Sequence, residues 1–281
     1  MKILLTGADG FIGKNFLDNT SFNSVFAVSR SSIESDKIYQ KYTGDLTDKN
    51  FIKEIALEKF DVIIHAAWSG LPNRTEDVNL FNFNMYRNMI DILSKNRDTK
   101  HIFLGSCLEY GNNKRKVNED TQGIKIDDFG QTKLKLLKYI ESSRINYNWL
   151  RIFYVFGPYQ HTNSLVRTMQ RDINYGRNIF ISNPNKAHDF IYIKDVISLI
   201  DKMLNTNLNK GLYNCGSGIP VSIGKIANTI LTIMLKNSKF EEEPDLALFA
   251  DINKAKRDLN WSPNYSLESG LIDTLKMIKN D

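Results

Sequence analysis

Gly7, Gly10 and Gly13 stand three residues apart in the stretch TGADGFIG, Thr6–Gly13, directly after the apolar run Ile3–Leu5. Glycines at that spacing suit a backbone that must wrap a phosphate. One turns the chain sharply, one lets the backbone approach a pyrophosphate, and one lets a helix lie close on a strand. A helix opening at about Phe11 offers unpaired N–H groups and a positive dipole end to the same anion. Three glycines alone also describe an ordinary tight turn; between an apolar run and a helical stretch they predict a dinucleotide site. Other chemistry is sparse. Cys107 and Cys215 are far apart and match no metal spacing, so no metal is expected and both read as free thiols in a reducing compartment. Lys114-Arg115-Lys116, the one tight basic cluster, reads as a solvated loop and not as a nucleic-acid site.

Such a site needs strand ends held side by side, and the first half of the chain alternates accordingly. Ser24–Ser29 (SVFAVS), Asp61–Ala67 (DVIIHAA), His101–Ser106 (HIFLGS) and Asn148–Phe153 (NWLRIF) predict buried parallel strands. A shorter segment ends at Gly44-Asp45, and Asp48–Lys59 predicts a helix. Phe81, Met85, Met89, Ile92 and Leu93 give the core-facing stripe of another. This alternation predicts an α/β fold, a Rossmann-type doubly wound parallel sheet. The second half is less regular. Ile179–Ser182 and Phe190–Ile193 predict strands, Lys194–Asn205 and Ser222–Leu235 helices, and Asn237–Asp251 an acidic loop; two helices flank Trp261-Ser262-Pro263. The expected organisation is a Rossmann domain over residues 1–158, joined by about 188–215, with 159–281 mainly a smaller C-terminal substrate-binding lobe. That lobe would cover the carboxyl ends of the strands and form a ligand cleft there.

Composition fits this picture. The 281 residues are 42% hydrophobic and 25% charged, ordinary for a soluble globular chain. The net charge of +5 is spread along the chain and suits an anionic substrate such as a nucleotide diphosphate. Met1 leads straight into the first strand, which leaves no room for a signal peptide, and no apolar run approaches membrane-spanning length. A cytoplasmic protein without membrane contact is expected.

Eight stretches, in order and covering nearly the whole chain, carry a family resemblance. They are TGADGFIG, GDLTD (Gly44–Asp48), HAA (His65–Ala67), FLGSCLEYG (Phe103–Gly111), FGQTK (Phe129–Lys133), LRIFYVFGP (Leu150–Pro158), HDFIYIKDV (His188–Val196) and LNWSPNYSLESGL (Leu259–Leu271). Together they resemble the extended short-chain dehydrogenase/reductase family, in its nucleotide-sugar branch of epimerases, dehydratases and ketoreductases. The resemblance implies a nicotinamide cofactor on the N-terminal sheet, a nucleoside-diphosphate sugar in the cleft, and a homodimer. It assigns cofactor contacts to Gly7, Gly10, Phe11, Ile12, Gly13, Asp45, Leu46, Ala66, Ala67, Lys133 and Phe153. His65, at a strand end, reads as a packed core histidine.

The second strand bears on the choice of cofactor. NAD enzymes of this fold usually place an acid there for the ribose hydroxyls. Here the strand ends Val28-Ser29-Arg30-Ser31. Arg30 could clamp a 2′-phosphate with a charge-assisted fork, helped by Ser29. NADPH is therefore expected over NAD, although a strand-end arginine can also be plain surface.

The catalytic positions combine retention with departure. By resemblance, Ser106 polarises the reacting oxygen, four residues before Tyr110. The two positions after it hold an acid pair in the 4,6-dehydratases; Cys107 and Leu108 stand here, and neither can trade protons with a leaving hydroxyl. The cysteine and histidine of the epimerase–reductases fall at Leu108 and Leu165, so ring epimerisation also lacks its acid and base. In the family's Y-x-x-x-K motif the ammonium sits one turn from the phenol and lowers its pKa. Lys133 keeps its place, but Phe129 occupies the tyrosine position. Three explanations stay open: Phe129 replaces a natural tyrosine; another donor such as Tyr154, Glu109, Tyr110 or a water relay acts; or the protein binds nucleotide sugars without turnover. Tyr154 stands where the family has Asn, and His188 where Arg meets the diphosphate. Arg167 and Arg171, four apart on a predicted helix, could restore that positive charge or simply face solvent.

The resulting expectation is NADPH-dependent reduction of the C4 ketone of a nucleoside-diphosphate 4-keto-6-deoxy sugar, serving polysaccharide, O-antigen or capsule sugar synthesis. Ser106 and Lys133 would carry it with residue 129, and Cys107, Leu108, Tyr154, Arg167 and His188 would face the substrate. The alternatives are an NAD-dependent nucleotide-sugar 4-epimerase and a catalytically silent nucleotide-sugar binder.

Overall fold

The computed structural model describes residues 1–237 and 240–278. The N-terminal part runs β1 (Ile3–Thr6), α1 (Phe11–Asn19), β2 (Val25–Ser29), β3 (Ile38–Thr43), α2 (Lys49–Ile55), β4 (Val62–His65) and α3 (Glu76–Leu93). It continues with β5 (Lys100–Ser106), β6 (Lys116–Val117), α4 (Asp128–Ser142), β7 (Asn146–Ile152) and β8 (Tyr154–Phe156). The remainder is α5 (Leu165–Asn174), β9 (Ala187–Tyr192), α6 (Ile193–Asn205), β10 (Gly211–Cys215), β11 (Pro220–Ser222), α7 (Ile223–Ile233), β12 (Phe249–Ala250), α8 (Asn253–Leu259) and α9 (Leu267–Ile278).

Seven strands form one parallel sheet in the order β10-β7-β5-β4-β1-β2-β3. Side chains on a strand alternate between faces, and β1 shows the consequence. Ile3 and Leu5 join one core with Phe16 of α1 and Ile197 and Ile200 of α6. Leu4 joins a second core with Ile52 of α2, Met89 of α3 and Leu136 of α4. Both faces are covered, which is why the strands read as unbroken apolar runs. The chain winds outward in both directions from β1, whose Thr6 lies level with Val28 of β2 and His65 of β4. This doubly wound order opens a crevice at the carboxyl ends of β1 and β4, where ligands enter such folds.

The other strands leave that plane. β7 ends at Ile152, and after Phe153 the chain re-pairs as β8 in a small sheet of order β11-β9-β8. β12 pairs with β6 over two residues.

Several expectations need correction. Ile179–Ser182 is not a strand: Ile179 tucks into the core, Phe180 is exposed, and no neighbouring strand pairs with them. The first part of the Asn237–Asp251 loop is outside the described residues at 238 and 239, and its end forms β12. The helix expected over Asp48–Lys59 is shorter at both ends. Asp48 caps it by accepting from the Asn50 N–H at 2.8 Å, and a turn begins at Ala56.

Candidate active site

The turn after β1 is closed by glycine alone. Gly7 has φ +68°, and a Cβ there would stand 2.6 Å from the Ala67 backbone at the end of β4. A Cβ on Gly13 would stand 2.2 Å from the Gly7 carbonyl oxygen, so α1 sits directly on the turn. Gly10 donates its N–H to that same oxygen at 3.0 Å. It also opens α1 with no side-chain cap, leaving the first N–H groups, from Phe11 and Ile12 onward, for a ligand.

An open cleft begins at this turn. Gly7, Gly10, Ser29, Arg30, Asp45, Leu46, Ala66 and Ala67 line it. Phe11, Ile12, Gly13, Lys133 and Phe153 are not among the lining residues. Phe153 instead turns into the core near Tyr110, with ring centroids 6.2 Å apart. The sequence reading passed over Asp9, Trp68, Ser69, Phe81 and Met85, which also line the cleft. Asp9 had a signal, an acid inside the glycine loop; its Oδ2 accepts from the Ser31 hydroxyl at 2.8 Å, beside Arg30. Asp45 is held below the usual carboxylate range by the N–H and hydroxyl of Thr47, with a smaller contribution from Arg30. His65 is a core residue as expected, fully buried, its Nε2 3.0 Å from His101 Nδ1 and its ring stacked on Phe103.

The reacting end is built on β5, the short 3-10 turn after it, and the start of α4. Ser106 accepts the Leu108 N–H on its Oγ at 3.2 Å and donates its own N–H to Glu109 Oε1 at 2.7 Å. Its hydroxyl lies within hydrogen-bond reach of the Cys107 sulfur. Glu109 is fully buried and also accepts from Trp149 Nε1 at 3.0 Å and Arg151 Nε at 2.7 Å. Burial raises its pKa against the pull of Arg151 and these donors. With both oxygens already occupied, Glu109 is a structural anchor and not a proton donor. Tyr110 is excluded similarly, being fully buried and donating to Asn214 Oδ1 at 2.7 Å.

In α4, Asp127 caps the helix by accepting the Gly130 N–H at 2.8 Å. A Cβ on Gly130 would meet the Leu108 carbonyl oxygen at 2.5 Å, so the helix start packs directly on the 3-10 turn. Lys133, one turn further, donates to the Leu104 carbonyl at 2.9 Å under the Trp68 ring, 3.4 Å from its centroid. Burial lowers its pKa to about 7, opposed by the charge of Glu109. Phe129 is 6% exposed, with its ring centroid 5.7 Å from Lys133 Nζ and edge-on to Trp68 at 5.5 Å. Arg74, from the loop before α3, lies over the Phe129 ring at 4.9 Å.

Across the site, Tyr154 stacks on His188 with centroids 3.9 Å apart. Burial raises the Tyr154 pKa, as does the neighbouring Cys107. Burial and then Lys186 lower His188 to about 4, so it is neutral at pH 7 and does not replace an arginine's charge. Cys107 is buried, its thiol pushed up by desolvation and then by Asp189 and Glu109, while Leu108 is half-buried beside it. Arg167 gives its Nη1 to the Gln160 carbonyl at 3.0 Å, and Arg171 is exposed. The structure thus sets Phe129 between Arg74 and Lys133, with Cys107 and Tyr154 under the influence of the Arg74 charge.

The chain belongs to the NAD dependent epimerase/dehydratase family, whose model matches residues 3–216. Among curated relatives it is 25% identical to an uncharacterized UDP-glucose epimerase of Bacillus subtilis, covering 98% of this chain and 97% of that one. It is also 25% identical to a UDP-glucose 4-epimerase of Bacillus subtilis, over 98% and 96% of the two chains. The fold matches UDP-glucose 4-epimerase of Thermotoga maritima, solved with UDP-glucose, at TM-score 0.85 and 22% identity, covering 100% of this chain and 99% of that one. It also matches UDP-glucuronic acid 4-epimerase of Bacillus cereus, solved with UDP-glucuronic acid and NAD, at TM-score 0.85 and 24% identity, with the same coverage.

Proposed function

We propose that this chain reduces the C4 ketone of a nucleoside-diphosphate 4-keto-6-deoxy sugar with NADPH, for the synthesis of cell-surface polysaccharide sugars. The observation that carries the reading is Phe129 beside a retained Ser106 and Lys133. An epimerase must first oxidise a C4 hydroxyl, which calls for a base at that position, and phenylalanine is none. A reduction needs only help for the oxygen as it gains charge, and water can deliver the proton.

The residues present fit the cofactor. A Cβ at Gly7 or Gly13 would collide with backbone, and the uncapped start of α1 suits a pyrophosphate. NADPH bound along the cleft supplies the hydride. Arg30 would take the 2′-phosphate by a charge-assisted fork, and Lys133 would hold the nicotinamide ribose once freed from the Leu104 carbonyl. Ser106 would donate its hydroxyl proton in a hydrogen bond to the ketone oxygen. Tyr154, Cys107 and Leu108 would form the sugar side, with residues 1–158 and about 188–215 as cofactor domain and 159–281 as substrate lobe. A cytoplasmic homodimer completes the reading.

A second reading has its own observation. Asp9, tied to Ser31 at the ribose end of the cleft, can accept hydrogen bonds from ribose hydroxyls and would repel a 2′-phosphate. That favours NAD, as in the neighbour solved with it, and a 4-epimerase like the named relatives. Cofactor behaviour separates the two. The reductase should purify free of cofactor and consume NADPH in step with a supplied 4-keto sugar. Tightly copurified NAD, with C4 epimers interconverting and no net oxidation of NADPH, would establish the second reading instead.

A further inference from the structure

Arg74 stands at the reacting end and has no part in the reading so far. Its guanidinium carbon lies 4.9 Å from the Phe129 ring centroid, and Asp127 Oδ2 lies 3.9 Å from its Nη1. Asp127 is itself fixed as the cap of α4, so the guanidinium is tethered over the start of that helix. The side chain stays 46% exposed, open to a ligand. Its positive charge acts on both the Cys107 thiol and the Tyr154 phenol, opposing the burial that raises them. Lys133, the other basic side chain near Phe129, donates to the Leu104 carbonyl under the Trp68 face, and the reading above gives it to the cofactor ribose.

We infer that Arg74 gives the reacting sugar oxygen the electrophilic contact that a phenol at residue 129 would otherwise supply. The inference rests on the reductive reading above. A guanidinium keeps its proton at any usable pH, so it acts by charge and by N–H donation and not by proton transfer. The step balances without a protein acid. The C4–H bond would form with the hydride that a reduced nicotinamide gives up, and the C=O π pair would move onto oxygen as an alkoxide. Ser106 and Arg74 hold that oxyanion until water protonates it and hydroxide passes to solvent. An arginine can serve here because the alkoxide takes its proton from water and bulk buffer neutralises the hydroxide released, whereas the oxidative direction would leave the hydroxyl proton with no acceptor on α4.

The test compares the parent protein with Arg74→Ala, Arg74→Lys, Phe129→Tyr and the Arg74→Ala/Phe129→Tyr double variant. Each is assayed for NADPH oxidation with a nucleoside-diphosphate 4-keto-6-deoxy sugar, and for binding of that sugar to the cofactor-free protein by titration calorimetry. Arg74→Ala should lower kcat by about 10²-fold, as losing one oxyanion donor does, with a change in binding under about threefold, since the contact matters mainly in the transition state. Arg74→Lys should recover part of the loss. Phe129→Tyr should raise turnover at least about tenfold in the Arg74→Ala background and less in the parent. The inference is overturned if Arg74→Ala turns over like the parent, if its whole effect is on binding, or if Phe129→Tyr helps both backgrounds equally. A parent inert while Phe129→Tyr is active also overturns it, yet leaves the reductive reading standing. Sugar binding without turnover in every variant removes the reductive reading, and the inference falls with it.

Discussion

The glycine turn and the Ser106 region are built from different material. At the glycine turn the shape comes from backbone: Gly7 in a left-handed conformation, Gly13 against the Gly7 carbonyl, and an uncapped helix start. At the reacting end the scaffold is side chain, a buried carboxylate that ties Ser106 to Trp149 and Arg151. Both frames are intact. What differs is the groups that meet the ligand. The turn keeps every glycine of the pattern, whereas Phe129 stands at the position where the family resemblance expects a tyrosine, and the neutral His188 where it expects an arginine. A fold can preserve a frame through steric necessity and still vary the chemistry mounted on it.

The largest expected effect breaks the frame at the reacting end. Glu109→Ala leaves Arg151 buried without its partner, and breaking such a pair costs about 3–5 kcal/mol. Urea unfolding should register most of that, and a loss below about 1 kcal/mol would show that the carboxylate is not the anchor described. Next comes the cradle. Gly13→Ala drives a methyl group against the Gly7 carbonyl, and overpacking of this kind costs about 1–3 kcal/mol. Dinucleotide affinity, followed by tryptophan fluorescence, should fall roughly tenfold to a hundredfold. An unchanged affinity would mean that α1 can move off the turn.

A smaller change sharpens the choice of cofactor. Arg30→Ala should weaken NADPH binding by about tenfold, the scale of a charge-assisted hydrogen bond, and leave NADH almost untouched. If both cofactors weaken equally, or neither does, Arg30 is plain surface and Asp9 decides the preference. A separate effect concerns pH. Burial holds His65 well below its ordinary value, and His101 at about 4. The unfolded chain gains protons on both below about pH 6.5 while the folded chain does not. Stability is therefore complete above about 6.5 and declines as pH falls toward 4, by at most about 1.4 kcal/mol per unit for each histidine. Urea midpoints at pH 7 and pH 5 should show the decline. Equal midpoints would mean that the folded pair takes up protons as readily as the unfolded chain.

Much of this was legible from residue order. Apolar runs gave the buried strands because both sheet faces are covered, and the glycine spacing gave the turn because only glycine fits it. Ile179–Ser182 failed because alternation records burial and not the presence of a pairing partner. The cleft residues Trp68, Ser69, Phe81 and Met85 come from a loop and a helix face whose pattern reports only packing. Arg74 was invisible for a similar reason: a loop arginine acquires meaning only when the fold lays it over Phe129. The inertness of Glu109 and Tyr110, both open candidates as donors from sequence, appeared only with their hydrogen-bond partners.

The central claim is that hydride moves from an exchangeable cofactor to the sugar and stays there. Incubating the protein with a nucleoside-diphosphate 4-keto-6-deoxy sugar and NADPH deuterated at the transferable position, followed by mass and NMR analysis of the sugar, tests it directly. The account predicts one deuterium at C4, a single configuration there, and one NADPH consumed per sugar. A product mixture of both C4 epimers with no deuterium and no net cofactor oxidation would contradict it.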